Sequence, residues 1–311
     1  MKNATVLLIP ALVAGLAFAF SGKDEVYLFS YFKGNGEDGL HLAWSEDGYK
    51  WTALNNDQSF LKPEVGESKL MRDPCIIQGP DKKFHMVWTA GWTERGIGYA
   101  HSKDLVNWSE QKYIPVMQHE PTARNAWAPE ITYDEKSKTY MIYWSTTIPG
   151  KFPETASEAD NGYNHRIYYT LTKDFETFTE TKLLYDPGFN AIDATLVKEG
   201  DEYIMFLKDE TREPPAKNIH VARSKSITGP YERLTGPITE SWVEGPTAIK
   251  LGDQWVAYYD KYTRKAMGAV ASKDLENWTD ISSQLEFPQG VRHGTAFQVK
   301  RKILERIWES K

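Results

Sequence analysis

Apolar and polar residues alternate with period two through much of this chain, in runs such as Leu42-Ala43-Trp44-Ser45, Phe84 to Thr89 and Gln254 to Tyr259. That period places successive side chains on opposite faces, so the runs predict β-strands, and helical periodicity is scarce. One pattern recurs: a short strand ending in Ser or Thr, followed six or seven residues later by an aromatic. The copies pair Ser45 with Trp51, Ser102 with Trp108, Thr172 with Phe178, Ser224 with Tyr231 and Ser272 with Trp278. Turn formers such as Asp47-Gly48, Lys103-Asp104 and Lys273-Asp274 lie between, so each copy reads as strand, tight turn and outer strand.

A second series interleaves with the first. Some 20 to 28 residues after each repeated Ser or Thr, an acidic residue or His opens another apolar strand. These openings are Asp73, Glu130, Asp193, Glu244 and His293. Further strands follow four of them, at Phe84 to Thr89, Tyr140 to Trp144, Tyr203 to Leu207 and Gln254 to Tyr259. About four strands in each of five repeats predict an all-β fold, a five-bladed β-propeller of four-stranded antiparallel units. The segment Val26 to Trp51 supplies three strands without an inner one, and His293 to Lys300 supplies an inner strand followed by a charged tail. Together they complete one blade and leave no open sheet edge. Residues 20–311 are read as this single propeller.

The N-terminus carries a different pattern. Lys2 precedes an apolar stretch from Ala4 to Phe20, and Ala17-Phe18-Ala19 is a small-x-small cleavage site. Residues 1–19 therefore read as a signal peptide, and the mature protein is expected to be exported, to the periplasm or the medium. The stretch is short for a membrane span and contains Pro10, so no stable membrane association is expected. A net charge of −6 without basic runs argues against a nucleic-acid partner. The single cysteine, Cys75, lies in an apolar run and reads as a buried hydrophobe. Aromatic content of 13% suits half-buried strands and also offers rings to the C–H faces of sugars.

In a propeller the inner strands begin around a central cavity, so the five opening residues should converge. Paired carboxyl groups in different environments are what glycosidic bond cleavage requires: one protonated for the leaving oxygen, one ionised for water or the sugar. The ordered elements Asp73-Pro74, Trp127-Ala128-Pro129, Ile192-Asp193, Glu244-Gly245-Pro246 and Arg292-His293-Gly294 resemble glycoside hydrolase family 43 over nearly the whole mature chain. The resemblance implies an inverting hydrolase in which Asp73 is the general base, Asp193 the pKa modulator and Glu244 the general acid. It matches His293 to an axial histidine that meets a central calcium or its water; no cofactor is otherwise required. Glu130 stands where relatives carry Asp and is read as structural, and Asp193 is followed by Ala194 in place of the commoner Pro. Arg72-Asp73-Pro74 also resembles an element of the retaining fructan hydrolases, whose companion motifs are absent.

Trp92 and Trp127 are candidate sugar platforms, and Arg292 a candidate for a sugar hydroxyl or for pairing with Glu244. Lys208, at a strand end, is expected in solvent. The long polar insertion Pro149 to Asn164 could wall off one end of a cleft, which favours exo action. The expected substrate is a plant cell-wall polysaccharide or oligosaccharide, and the expected activity an α-L-arabinofuranosidase or β-xylosidase. The alternatives are an endo-acting xylanase or arabinanase, or a non-catalytic carbohydrate-binding propeller.

Overall fold

A computed structural model describes residues 24–310; the leader reading at 1–19 lies outside them. Among the described residues nineteen strands form five sheets. The first blade contains β1 (Glu25–Tyr31), β2 (His41–Ser45) and β3 (Thr52–Ala53). The second runs from β4 (Arg72–Gln78) through β5 (Phe84–Thr89) and β6 (Ile97–Ser102) to β7 (Lys112–Ile114). The third holds β8 (Trp127–Asp134), β9 (Thr139–Thr147), β10 (His165–Thr172) and β11 (Lys182–Tyr185). The fourth holds β12 (Ala191–Glu199), β13 (Glu202–Asp209) and β14 (Asn218–Ser224). The fifth holds β15 (Glu244–Leu251), β16 (Gln254–Lys261), β17 (Ala266–Ser272) and β18 (Thr279–Asp280). Finally β19 (Thr295–Lys300) pairs antiparallel with β1, from Glu25↔Lys300 to Ser30↔Thr295, and closes the ring.

This is the five-bladed propeller expected from the repeats. The repeated Ser or Thr has a structural use. In four blades its hydroxyl accepts from the backbone N–H three residues on, at 2.9 Å to Gly48, Leu105, Phe175 and Leu275, and an Asp caps the following amides. The fourth blade has Ser226 where its sisters have that Asp, and its outer segment keeps only an isolated bridge, Arg223↔Glu232. The sheets bury both faces, and five hydrophobic clusters fill the gaps between neighbouring blades. One cluster holds Leu28 with Trp88, the next Val87 with Trp144, then Met141 with Met205, Phe206 with Ala257, and Phe29 with Tyr258. Cys75 is buried, as expected.

The charged tail expected after β19 is instead a helix, α1 (Arg301–Glu309). Ile303, Leu304 and Ile307 recur on one helical face and join the cluster of Val26 and Leu28. Arg301 holds Glu46 through two 2.8 Å bonds.

Candidate active site

Each inner strand of blades two to five carries the same irregularity at its start. Register shifts fall between Arg72 and Cys75, Trp127 and Glu130, Ile192 and Thr195, and Glu244 and Thr247. The first extra residue of each bulge is left-handed: Asp73 (φ 52°), Ala128 (φ 45°), Asp193 (φ 53°) and Gly245 (φ 60°). Such a conformation costs a non-glycine residue of order 1–3 kcal/mol and persists where the fold over-determines it. At the fourth position a side chain would also collide, since a Cβ on Gly245 would lie 2.3 Å from the His293 ring.

The shared bulge sorts the channel into tiers, so the five converging residues do not all stand at one level. Arg72, Trp127, Ile192, Glu244 and Arg292 stand at the rim. One residue further in come Asp73, Ala128, Asp193, Gly245 and His293. Two beyond those lie Cys75, Glu130, Thr195, Thr247 and Thr295. Glu130 therefore belongs to the deepest tier, where its carboxyl accepts from Thr195 Oγ1 (3.0 Å) and Cys75 Sγ (3.3 Å). Burial pushes Glu130 up to about 7.

The upper two tiers open into a cleft of about 380 Å³ lined by Asp73, Asp193 and Glu244 with Trp92, Trp127, Arg292 and His293. Thus the structure brings together every residue singled out from the sequence as catalytic or binding. Glu244 is gripped from both sides: Arg292 Nη2 donates to Oε1 at 2.9 Å and Lys208 Nζ to Oε2 at 3.3 Å. Lys208 is not in solvent but 1% exposed. It pairs in register with Ile192 at the channel mouth, among Glu244, Glu210 and Asp193, whose charges outweigh the burial and push its pKa up. Each cation has a second carboxylate. Arg292 Nε donates to Asp260 at 2.6 Å; Lys208 lies 2.6 Å from Glu210, which also pairs with the buried Lys217. Glu210, just past β13, and Asp260, near the end of β16, carry no mark in the sequence, and their purpose comes from the cations packed on them.

A family described as a probable glycosyl hydrolase domain, related to glycosyl hydrolase family 43, matches residues 23–305. The chain belongs to this family. It is 26% identical to an α-L-arabinofuranosidase of Bifidobacterium longum, a match covering 87% of the chain and 33% of the relative. The chain thus spans about a third of that relative's length. Its fold is similar to the α-L-arabinofuranosidase of Lactobacillus brevis (TM-score 0.52, 18% identity, 68% of this chain and 72% of that one). It also resembles an endo-arabinase from Bacteroides thetaiotaomicron (TM-score 0.55, 18% identity, 72% of this chain and 84% of that one).

The electrostatics of this glycosyl hydrolase 43-related site separate its carboxylates. Burial works against the Asp73 charge, but the hydrogen bond and charge of His293, with Arg72 and Thr89, hold it at about 2. His293 Nδ1 stands 3.3 Å from Asp73 Oδ1, and Thr89 Oγ1 donates to Oδ2 at 2.8 Å. Burial raises Asp193 to about 6 against the pull of His293 and Lys208. Burial opposes the His293 charge, yet Asp193, Asp73 and Glu130 together raise its pKa to about 9. Among the described residues no group of three or more His, Cys, Asp or Glu side chains could hold an ion.

Arg292 pairs with acids, and the tryptophans are placed to meet a ligand. Trp92 is 45% exposed, with its Nε1 donating to Asn35 Oδ1 at 3.0 Å and the Arg72 guanidinium 4.3 Å from its ring. Trp127 Nε1 donates to the Trp92 carbonyl at 2.8 Å, and the rings meet edge to face. The insertion reaches this platform through Tyr163, 4.9 Å from the Trp127 ring.

Proposed function

We propose that this chain is an inverting glycoside hydrolase, an exo-acting α-L-arabinofuranosidase or β-xylosidase working on plant polysaccharide or oligosaccharide. The observation that carries the reading is the contrast between an Asp73 held ionised at about 2 and a Glu244 held between exchangeable cations on the same cleft. Asp73 takes the proton of a water as it attacks the anomeric carbon, and Glu244 delivers a proton to the leaving oxygen. The two come from blades two and five, with His293 of the first blade between them, which favours the wider spacing an attacking water needs.

For Glu244 to carry a proton, at least one cation must let go. Arg292 can fall back on Asp260 and Lys208 on Glu210 as a sugar enters, so neither is stranded. Asp193 accepts from the Gly245 N–H at 3.0 Å, orienting the backbone next to Glu244 and adding a carboxyl one tier below it. The name of the Bifidobacterium relative supports arabinofuranose, and the insertion packed on Trp127 supports a cleft closed at one end. Such a hydrolase works on polymer outside the cell, in keeping with the leader read at residues 1–19.

A panel of aryl α-L-arabinofuranosides, β-D-xylosides and β-D-galactosides, alongside arabinan and arabinoxylan, tests the proposal. Release of arabinose or xylose from chain ends is expected. No turnover of any member would overturn it, and galactose release alone would replace the sugar.

A further inference from the structure

The cleft face holds a second and larger hollow, about 610 Å³, at the second blade. Three connections enclose it: residues 54–71 leading into β4, 90–96 between β5 and β6, and 115–126 leading into β8. All three run on the face where the inner strands begin, since β5 ends opposite Arg72 and β7 runs back toward the start of β8. Hydrogen bonds tie them together: the Ser68 N–H donates to Glu94 Oε1 at 3.0 Å, and the Met117 N–H to the Arg95 carbonyl at 2.8 Å.

The hollow contains a fixed aromatic ring. Tyr113 is 38% exposed, and its ring and hydroxyl lie against Gly96, with the charge of the buried Glu94 close by. A Cβ on Gly96 would come 2.4 Å from Tyr113 Cζ, so only glycine lets the ring lie there. The ring is thus held against Gly96 with part of it open to the hollow, where Arg95, Gln118 and Glu67 supply hydrogen-bonding groups. A pinned, half-exposed aromatic beside a few polar groups is the chemistry that takes the C–H face and hydroxyls of a sugar. Glu67 and Glu94 against Arg95 leave the lining acidic, which disfavours a uronate.

This hollow adjoins the cleft. Trp92 lines the cleft and Glu94 the hollow, and two residues of backbone separate their Cα atoms by at most about 7 Å. We infer that the Tyr113 hollow is an accessory subsite for a neutral sugar residue of the same glycan whose bond is cut at Glu244. This rests on the hydrolase reading above and adds that the substrate is longer than one or two sugars.

The test compares wild type with Tyr113→Ala and Tyr113→Phe on an aryl arabinofuranoside and on soluble arabinan and arabinoxylan. Loss of the ring should lower kcat/KM on the polymer about fivefold to tenfold, the worth of one aromatic contact, and change the aryl glycoside less than twofold. Tyr113→Phe, which keeps the ring, should stay within about threefold of wild type on both substrates. An equal loss on both substrates, or none on the polymer, overturns the proposal. Should the wild type cleave nothing, the hydrolase reading fails while the subsite is still tested by retardation in gels containing each polymer. Retardation lost in Tyr113→Ala supports the subsite; retardation unchanged, or absent from the wild type, overturns it.

Discussion

On the Asp73 side of the cleft, one carboxylate is held by a buried imidazolium and one hydroxyl, all within the inner tiers of the channel. On the Glu244 side, charges alternate along a chain from Asp260 through Arg292, Glu244, Lys208 and Glu210 to Lys217. Both arrangements stabilise an ionised carboxylate, but they differ in what happens when a partner leaves. Among the described residues no second cation stands within hydrogen-bonding distance of Asp73 to replace His293. Each cation on Glu244 has another acid to hold, so its release does not leave a lone buried charge. One side suits a base that never needs a proton; the other suits an acid that must gain one in every cycle.

The largest effect that could break this contrast comes from neutralising each carboxyl in turn. Glu244→Gln should lower kcat/KM on arabinan by about 10²–10⁴-fold yet recover much of that on aryl glycosides whose leaving group needs no proton. Asp73→Asn should lose a similar amount on both, because every substrate needs the activated water. Matching profiles for the two variants on both substrates would erase the distinction.

Lys208→Met sharpens it further. Removing one cation should cost about 10- to 100-fold in kcat/KM, because Glu210 and Lys217 lose their neighbour as well. The loss should be larger on arabinan than on aryl glycosides with a good leaving group, because Lys208 bears on the leaving-group acid. A purely structural lysine would lower activity on both substrates equally.

The smallest effect concerns stability. His293 is raised to about 9 in the fold, against about 6.5 when unfolded, so its contribution is complete below pH ~6.5 and is lost as pH rises through 9. Urea unfolding of the wild type should lose roughly 3 kcal/mol between pH 6.5 and 9.5, and His293→Gln should lose that slope. Equal slopes would show that His293 is neutral in the fold.

The difference between the two sides also explains what could be read in advance. Asp73, Asp193, Glu244 and His293 were legible because each opens a repeated strand, and repetition brings strand starts together. Their tiers were not. The one-residue offset between Glu244 and Asp73 comes from the left-handed bulge, which no residue type announces at Ala128 and only Gly245 hints at. Lys208 follows the apolar run Tyr203 to Leu207, where a lysine ordinarily marks the end of a strand. Its burial depends on acids that are adjacent only across blades. The tail carried a helical signal in Ile303, Leu304 and Ile307 that its charges obscured. Tyr113 lies on a short outer strand, and nothing local marks the glycine it rests on.

The most direct test of the central claim is the ¹H NMR spectrum of the first sugar released, recorded before mutarotation. Water activated by Asp73 should give the anomer opposite to that of the substrate. The substrate's own anomer appearing first would mean that Asp73 attacks the sugar itself, and the division of labour between the two sides would be wrong.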